Sequence, residues 1–213
     1  LPRAYHSGDS AEIDWVLRRL RSEHDGPLHA VGVSLGGNAL LKWLGEQRGT
    51  AAGIVKRAAA VSAPVDLHAA ADALERGFNM NYTRHFLTTM KRKSLAKLQR
   101  HPGLFDPARL RATRTLREFD DLVTAPLHGF RGVNDYYSRS SSKPWLSSIG
   151  VPTLLLNARN DPFLPAAALP EARDMAPAVS AMFPDGGGHV GFPGAGGRLD
   201  WLPRCLLEFL SGA

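Results

Sequence analysis

Cysteine is almost missing from this 213-residue chain. Cys205 stands alone, which excludes an internal disulfide and suits a reducing, cytoplasmic setting. No run approaches about 18 uninterrupted apolar residues, so no membrane-spanning helix is expected. The opening stretch Leu1-Pro2-Arg3-Ala4-Tyr5-His6 lacks the apolar core of a signal peptide. There is no H-E-x-x-H and no Cys/His cluster, and the glycines at 32, 36 and 37 lack dinucleotide or phosphate-loop spacing. Neither a metal nor a cofactor is therefore expected. Internal repeats and low-complexity segments are absent too. Acid is scarce in one region: residues 84–117 hold ten lysines and arginines against Asp106 alone, a local excess larger than the net +6 of the whole chain. No reading motif or interleaved aromatics accompany that charge, so nucleic acid is not the expected partner. A solvated helical face accounts for it, as does attraction to anionic lipid head groups or to a negatively charged substrate.

What is present describes a globular α/β protein. Hydrophobic residues make up 44% and charged residues 22%, ordinary values for such a chain, and the length suits one domain with an insertion. Gly8-Asp9-Ser10 followed by Ile13, Val16, Leu17 and Leu20 predicts a capped amphipathic helix ending near Glu23. His29–Val33, Arg57–Ala63, Pro152–Ala158 and Val179–Phe183 read as short apolar strands, the first two of them buried. A last helix is predicted from about Asp200 to Leu210, with Cys205 as a small core residue on it. Strands alternating with helices argue for a mostly parallel sheet covered on both faces. Residues 68–148 interrupt the pattern with helical periodicity, carried by Phe86, Leu87, Met90, Leu95 and Leu98 and then by Leu110, Leu116, Phe119 and Leu122. That stretch is too long for a simple connection and is expected to form a helical cap, leaving residues 1–67 and 149–213 as the core.

The centre of the argument is Gly32-Val33-Ser34-Leu35-Gly36, a G-x-S-x-G pentapeptide between an apolar strand and a helix on which Leu40, Leu41 and Leu44 fall at helical spacing. A bare Gly/Ser turn would satisfy the pattern as well. In this setting it predicts a nucleophile elbow, with Ser34 held in a strained turn and glycines at 32 and 36 allowing strand and helix to approach. The Leu35 N–H would then stand at a helix N-terminus, where it can stabilise an oxyanion.

A serine nucleophile requires a base in reach and an acid to orient that base. Asp161 follows the third strand and His189 the fourth, so both are expected at the sheet edge that carries Ser34. Asp66, Asp135 and Asp185 are rival acids, Asp66 the strongest because it also follows a strand. The glycines before His189 would let that loop bend an imidazole over the elbow. The other histidines (His6, His24, His29, His68, His85, His101 and His128) lie on early loops, in a strand or in the cap, with His29 read as structural.

These segments together resemble one family. Arg3-Ala4-Tyr5-His6-Ser7-Gly8, Val31–Asn38, Ser62-Ala63-Pro64-Val65-Asp66-Leu67, Asn157–Pro162 and Gly187–Phe192 are similar to the YheT-like branch of the α/β-hydrolases, and Tyr82-Thr83-Arg84 and Asp135-Tyr136-Tyr137 fit it as well. The resemblance implies an α/β-hydrolase fold and a serine esterase or lipase, with Ser34 as nucleophile, Asp161 as acid and His189 as base. It implies small-molecule or lipid ester substrates, while peripheral contact with an anionic membrane surface is the expectation carried by the basic stretch at 84–117. Family members carry first strands and a His-Gly loop ahead of the Arg3–His6 segment, and that loop gives the second oxyanion N–H. The resemblance therefore implies a chain with Leu35 as its one donor and an unpaired sheet edge. Two further readings follow from it: a non-catalytic hydrolase-fold module binding lipid or a partner through its basic cap, and an acyltransferase using the same acyl-enzyme.

Overall fold

A computed structural model describes residues 3–212. Four short strands, β1 (His29–Val33), β2 (Arg57–Val61), β3 (Thr153–Leu156) and β4 (Val179–Met182), pair in parallel in the order β1-β2-β3-β4. The register aligns Val33 with Val61, Val61 with Leu156, and Leu156 with Met182. All four carboxyl ends therefore finish level along one edge, which is where loops can converge. β1 ends where its apolar run does, whereas β2, β3 and β4 end one or two residues sooner; Ser62 and Asn157 already lie outside the strands, on that edge.

The two central strands carry small or branched apolar side chains. Ala59, Val61, Leu154 and Leu156 face one side, and Ala58, Ala60 and Leu155 the other, all nearly or fully buried. The sheet is thus covered on both faces at its centre. β1 departs from the expectation of a buried strand. Its burial alternates, with Ala30 and Gly32 inside but Val31 and Val33 exposed, because it is an edge strand covered on one face.

One helix precedes β1 in the chain and another follows it. Helix α1 (Ser10–Glu23) begins where the Asp9 carboxylate accepts the Glu12 N–H, an N-cap that satisfies one of the free amides of the first turn. Helix α2 (Leu35–Gln47) starts directly after Ser34 and is buried from Gly37 to Gly45. Its Asn38 is fully buried and ties distant chain together: Nδ2 donates to Ser7 O and Ser140 O, each at 2.8 Å, and Oδ1 accepts Ser142 N–H at 2.9 Å. A buried amide with three of its groups satisfied specifies this arrangement more strongly than an apolar side chain would.

The chain divides into two compact units. One contains the sheet and runs from Ser7 to Asp66 and again from Ser140 onward. The other is helical and comprises Leu67–Arg139 with the segment up to His6. Its helices are α3 (Leu67–Leu74), α4 (Met80–Arg100), α5 (Pro107–Ala112), α6 (Leu116–Phe119), α7 (Ala125–Leu127) and α8 (Val133–Ser140), with a π-helical turn at Asp120–Thr124. Leu87, Phe105, Leu110, Phe119 and Val123 form one core of this unit, joined by Met90, Leu95 and Leu98 of α4. Leu67, Ala71, Ala125, Val133, Tyr136 and Tyr137 form another.

Some of the basic residues serve this unit internally. Lys91 Nζ donates to Arg111 O at 2.9 Å and to Thr113 O, holding the end of α5, and Arg117 pairs with Asp72 at 2.8 Å. Others do not. Thr83, Leu87 and Ser94 form the buried side of α4, whereas Arg84, His85, Arg92, Lys93 and Arg100 are exposed on the opposite side. Helix α4 contains no carboxylate.

The sheet unit closes with α9 (Trp201–Ser211). Trp201, Leu202, Cys205, Leu206 and Phe209 pack on the face formed by Ala59, Val61, Leu154 and Leu156. Cys205 is half-buried there and not a core residue as expected, because α9 lies at the surface with one face only against the sheet. Among the described residues no helix is long and apolar enough to cross a membrane.

Candidate active site

Ser34 occupies the junction of β1 and α2 with φ 52° and ψ −124°, backbone angles that a side chain rarely adopts. Its N–H donates to Val61 O at 2.8 Å, continuing the sheet ladder, while its carbonyl accepts from Gly37 N–H at 2.9 Å and opens the helix. Strand and helix are thus bonded through one residue, and the turn must be sharp. A Cβ on Gly32 would lie 2.6 Å from Gly36 O and 2.7 Å from Gly37 Cα, so only glycine fits there. The second steric requirement falls on Gly37, whose added Cβ would stand 3.0 Å from both Ala63 Cβ and Gly32 O. Gly36 has open space around it. The expected pair of glycines at 32 and 36 is corrected to 32 and 37: the approach is made across one helical turn, not symmetrically about the serine.

The loops after β3 and β4 reach the same edge. His189 Nε2 stands 2.9 Å from Ser34 Oγ, and its Nδ1 lies 3.1 Å and 3.0 Å from the two carboxylate oxygens of Asp161. The Asp161 side chain is fully buried and the His189 ring retains 19% exposure, so the acid is sealed while the base stays accessible. Asp161 Oδ1 also accepts the Phe163 N–H at 2.8 Å, and the Phe163 ring packs 4.3 Å from the imidazole. With a carboxylate on Nδ1, the neutral ring carries its proton there and turns the Nε2 lone pair toward Ser34. The Leu35 N–H, first in α2, belongs to the first-turn amides that no helical carbonyl reaches.

The rival acids lie elsewhere. Asp185 is fully exposed 3.6 Å from Arg159. Asp135 belongs to the helical unit, where the Arg131 backbone N–H, helped by the Arg139 and Arg131 side chains, holds its carboxyl below the usual range. Asp66 is half-buried after β2, and the imidazole nitrogen it would have to engage is taken by Asp161. Among the described residues no three His, Cys, Asp or Glu side chains gather as a metal site would require.

Two contacts at this edge were not anticipated. Asn160 Oδ1 accepts the Gly188 N–H at 2.8 Å, and the Ser62 hydroxyl donates to the His189 carbonyl. Neither residue lies near His189 in sequence, so no local pattern signals the contacts. The one signal the sequence offers is position: Ser62 directly follows β2, and Asn160 directly precedes Asp161.

Comparison with known proteins agrees with this architecture. A family model described as alpha/beta hydrolase fold matches residues 3–194. The Escherichia coli (strain K12) protein named "Putative esterase YheT" is 40% identical over 216 residues, covering 98% of this chain and 62% of that protein. "Phospholipase ABHD3" of Mus musculus is 34% identical over 197 residues, covering 90% of this chain and 47% of its relative. The chain thus spans about half to three fifths of the length of these relatives. Among solved structures, an alpha/beta fold family hydrolase from Bacillus anthracis str. Sterne aligns with a TM-score of 0.54 at 13% identity, over 98% of this chain and 76% of that one. That likeness concerns the fold alone.

Proposed function

Because the chain belongs to the alpha/beta hydrolase fold family, we propose that it carries the nucleophile, base and acid of a serine hydrolase that cleaves carboxylic esters. The observation that supports this reading is the continuous contact from Ser34 Oγ through the His189 ring to the buried Asp161 carboxylate. The names of the similar proteins, an esterase and a phospholipase, point to the same bond type.

In this reading His189 Nε2 takes the Ser34 proton as Oγ attacks the ester carbonyl, and the carbonyl π electrons move onto oxygen. The Leu35 N–H donates to that oxyanion, supported by the positive end of α2. Collapse of the tetrahedral species expels the alcohol, which receives the proton from His189. Water then attacks the acyl-enzyme with the same histidine as base, releasing the acid and restoring Ser34. The Asp161 carboxylate holds the ring through Nδ1 and stabilises the imidazolium. An alcohol in place of water would give acyl transfer by the same steps.

A fluorophosphonate probe tests the assignment directly. In the full-length protein it should label Ser34, and Ser34→Ala should abolish labelling and lower short-chain ester hydrolysis by at least about 10³-fold. A folded protein that the probe leaves unmodified overturns the reading and favours a non-catalytic module. A second reading, compatible with the first, concerns the helical unit. Its exposed, carboxylate-free face on α4 has the chemistry to rest against anionic lipid.

A further inference from the structure

The loop that carries His189 is built from Gly186-Gly187-Gly188, the least restrained backbone available, and Gly188 sits at φ 59°. An imidazole that must stay within hydrogen-bond distance of two partners cannot hang from so free a tether unless something outside the loop holds it. Two side chains do. Asn160 Oδ1 takes the Gly188 N–H at 2.8 Å on one side of the histidine, and Ser62 Oγ donates to the His189 carbonyl on the other. The His189–Val190 peptide plane and, one peptide before the histidine, the Gly187–Gly188 plane are thereby held, which narrows the directions in which the ring can leave the backbone.

Ser62 has a second peculiarity. It follows β2 just as Ser34 follows β1, each one step beyond the last registered pair Val33–Val61, and it adopts the same φ of 52°. Its N–H continues the ladder to Leu156 O at 2.7 Å, and its side chain is 1% exposed. A non-glycine residue in this strained region, buried against a triad loop, is the kind of backbone outlier that accompanies a functional constraint. Glycine would occupy the same backbone without strain but could not supply the hydroxyl.

We infer that Ser62, with Asn160, is a positioning residue: its hydroxyl holds the His189 carbonyl so that the imidazole is preorganised between Ser34 and Asp161. The inference rests on the hydrolase reading above. The Ser62 hydroxyl meets the His189 carbonyl, so its part in the reaction is played through His189.

Ser62→Ala and Ser62→Gly separate this role from a merely structural one. Both remove the hydroxyl, but alanine keeps the strain and glycine relieves it, so their effects on thermal stability should differ. Their effects on the reaction should not. Each is expected to lower kcat for p-nitrophenyl butyrate by on the order of 10- to 100-fold with KM little changed, and to slow fluorophosphonate labelling of Ser34 by the same factor. Asn160→Ala should reproduce the loss. If Ser62→Gly labels and turns over at the wild-type rate, or if the losses merely follow the melting temperatures, the positioning role is overturned. If the wild-type protein itself is not labelled at Ser34, the hydrolase reading fails, and that outcome is distinct because it appears before any Ser62 variant is made.

Discussion

At the scale of single residues, the elbow shows how steric detail ranks glycines that look equivalent in a motif. Gly32, Gly36 and Gly37 flank one serine, yet an added methyl meets backbone at 2.6 Å on the first, nothing on the second, and Ala63 Cβ at 3.0 Å on the third. Overpacking against backbone costs ~1–3 kcal/mol or more, while replacing an unstrained helical glycine by alanine gains ~0.5–1 kcal/mol. Gly32→Ala should therefore be the most destabilising of the three, Gly37→Ala intermediate, and Gly36→Ala neutral or stabilising. Urea-unfolding midpoints on the three variants check the order, and a Gly36→Ala protein less stable than Gly37→Ala would contradict it. This ranking also marks where sequence reading stopped. The strand, the serine and the helix were legible from apolar spacing and the G-x-S-x-G pattern, and Asp161 and His189 from their places after strands. Which glycine touches what depends on the crossing of β1 and α2, which no spacing encodes. The Ser62 contact is further out of reach, since it joins residues separated by 127 positions.

At the scale of elements, the apolar periodicity of the insertion was legible and its polar interior was not. Asp120 opens the π-helical turn, and its carboxylate accepts the Thr124 hydroxyl at 2.6 Å and the Tyr137 hydroxyl at 2.9 Å. Burial outweighs those two hydrogen bonds and pushes its pKa from 3.8 up to about 6. Burial, followed by the neighbouring carboxylate, also drives the Tyr137 phenol upward, so it stays a donor. Because the folded pKa of Asp120 lies above its unfolded value, the native state holds this proton more tightly than the unfolded chain does. The associated stability is complete below about pH 4 and is lost as pH rises through about 6. The size of the effect is up to ~3 kcal/mol. Asp120→Asn, which is uncharged at every pH, should remove that dependence. Thermal melts of wild type and variant at pH 4, 5, 6 and 7 should therefore converge at low pH, separate between about pH 4 and 6 and stay apart above it, with the variant the more stable; curves that keep one constant separation from pH 4 to 7 would exclude the mechanism. The sequence pattern could not expose this network, because an aspartate in a helical stretch reads as a solvent-facing residue until the turn that buries it is known.

At the scale of the whole molecule, the net charge of +6 is unevenly used. Lys91 and Arg117 are engaged within the helical unit, but Arg92, Lys93 and Arg100 lie exposed on the acid-free face of α4. That helix has 21 residues and is therefore about 30 Å long, enough to lay several charges along one plane. Just ahead of it and in its first turn, Phe78 is 76% exposed and Tyr82 39%, their rings 6.1 Å apart. Exposed aromatics beside a row of cations match a lipid interface, where rings enter the head-group boundary and each basic residue adds ~1 kcal/mol near an anionic surface. The full-length protein is therefore expected to co-sediment with vesicles containing phosphatidylserine, and less so as salt shortens the Debye length. Arg92→Gln, Lys93→Gln and Arg100→Gln together should weaken that partition on the order of 100-fold, following the three lost charges. Phe78→Ala should weaken binding in a salt-insensitive way. Hydrolysis of a water-soluble ester should be untouched in all of these variants, because none of the residues belongs to the Ser34, His189 and Asp161 arrangement. Binding to neutral and anionic vesicles alike, or binding that the triple variant leaves intact, would return the α4 charge to the role of a solvated face. A loss confined to anionic vesicles would instead separate two functions by unit: contact with the lipid surface in the helices, and bond cleavage at the sheet edge.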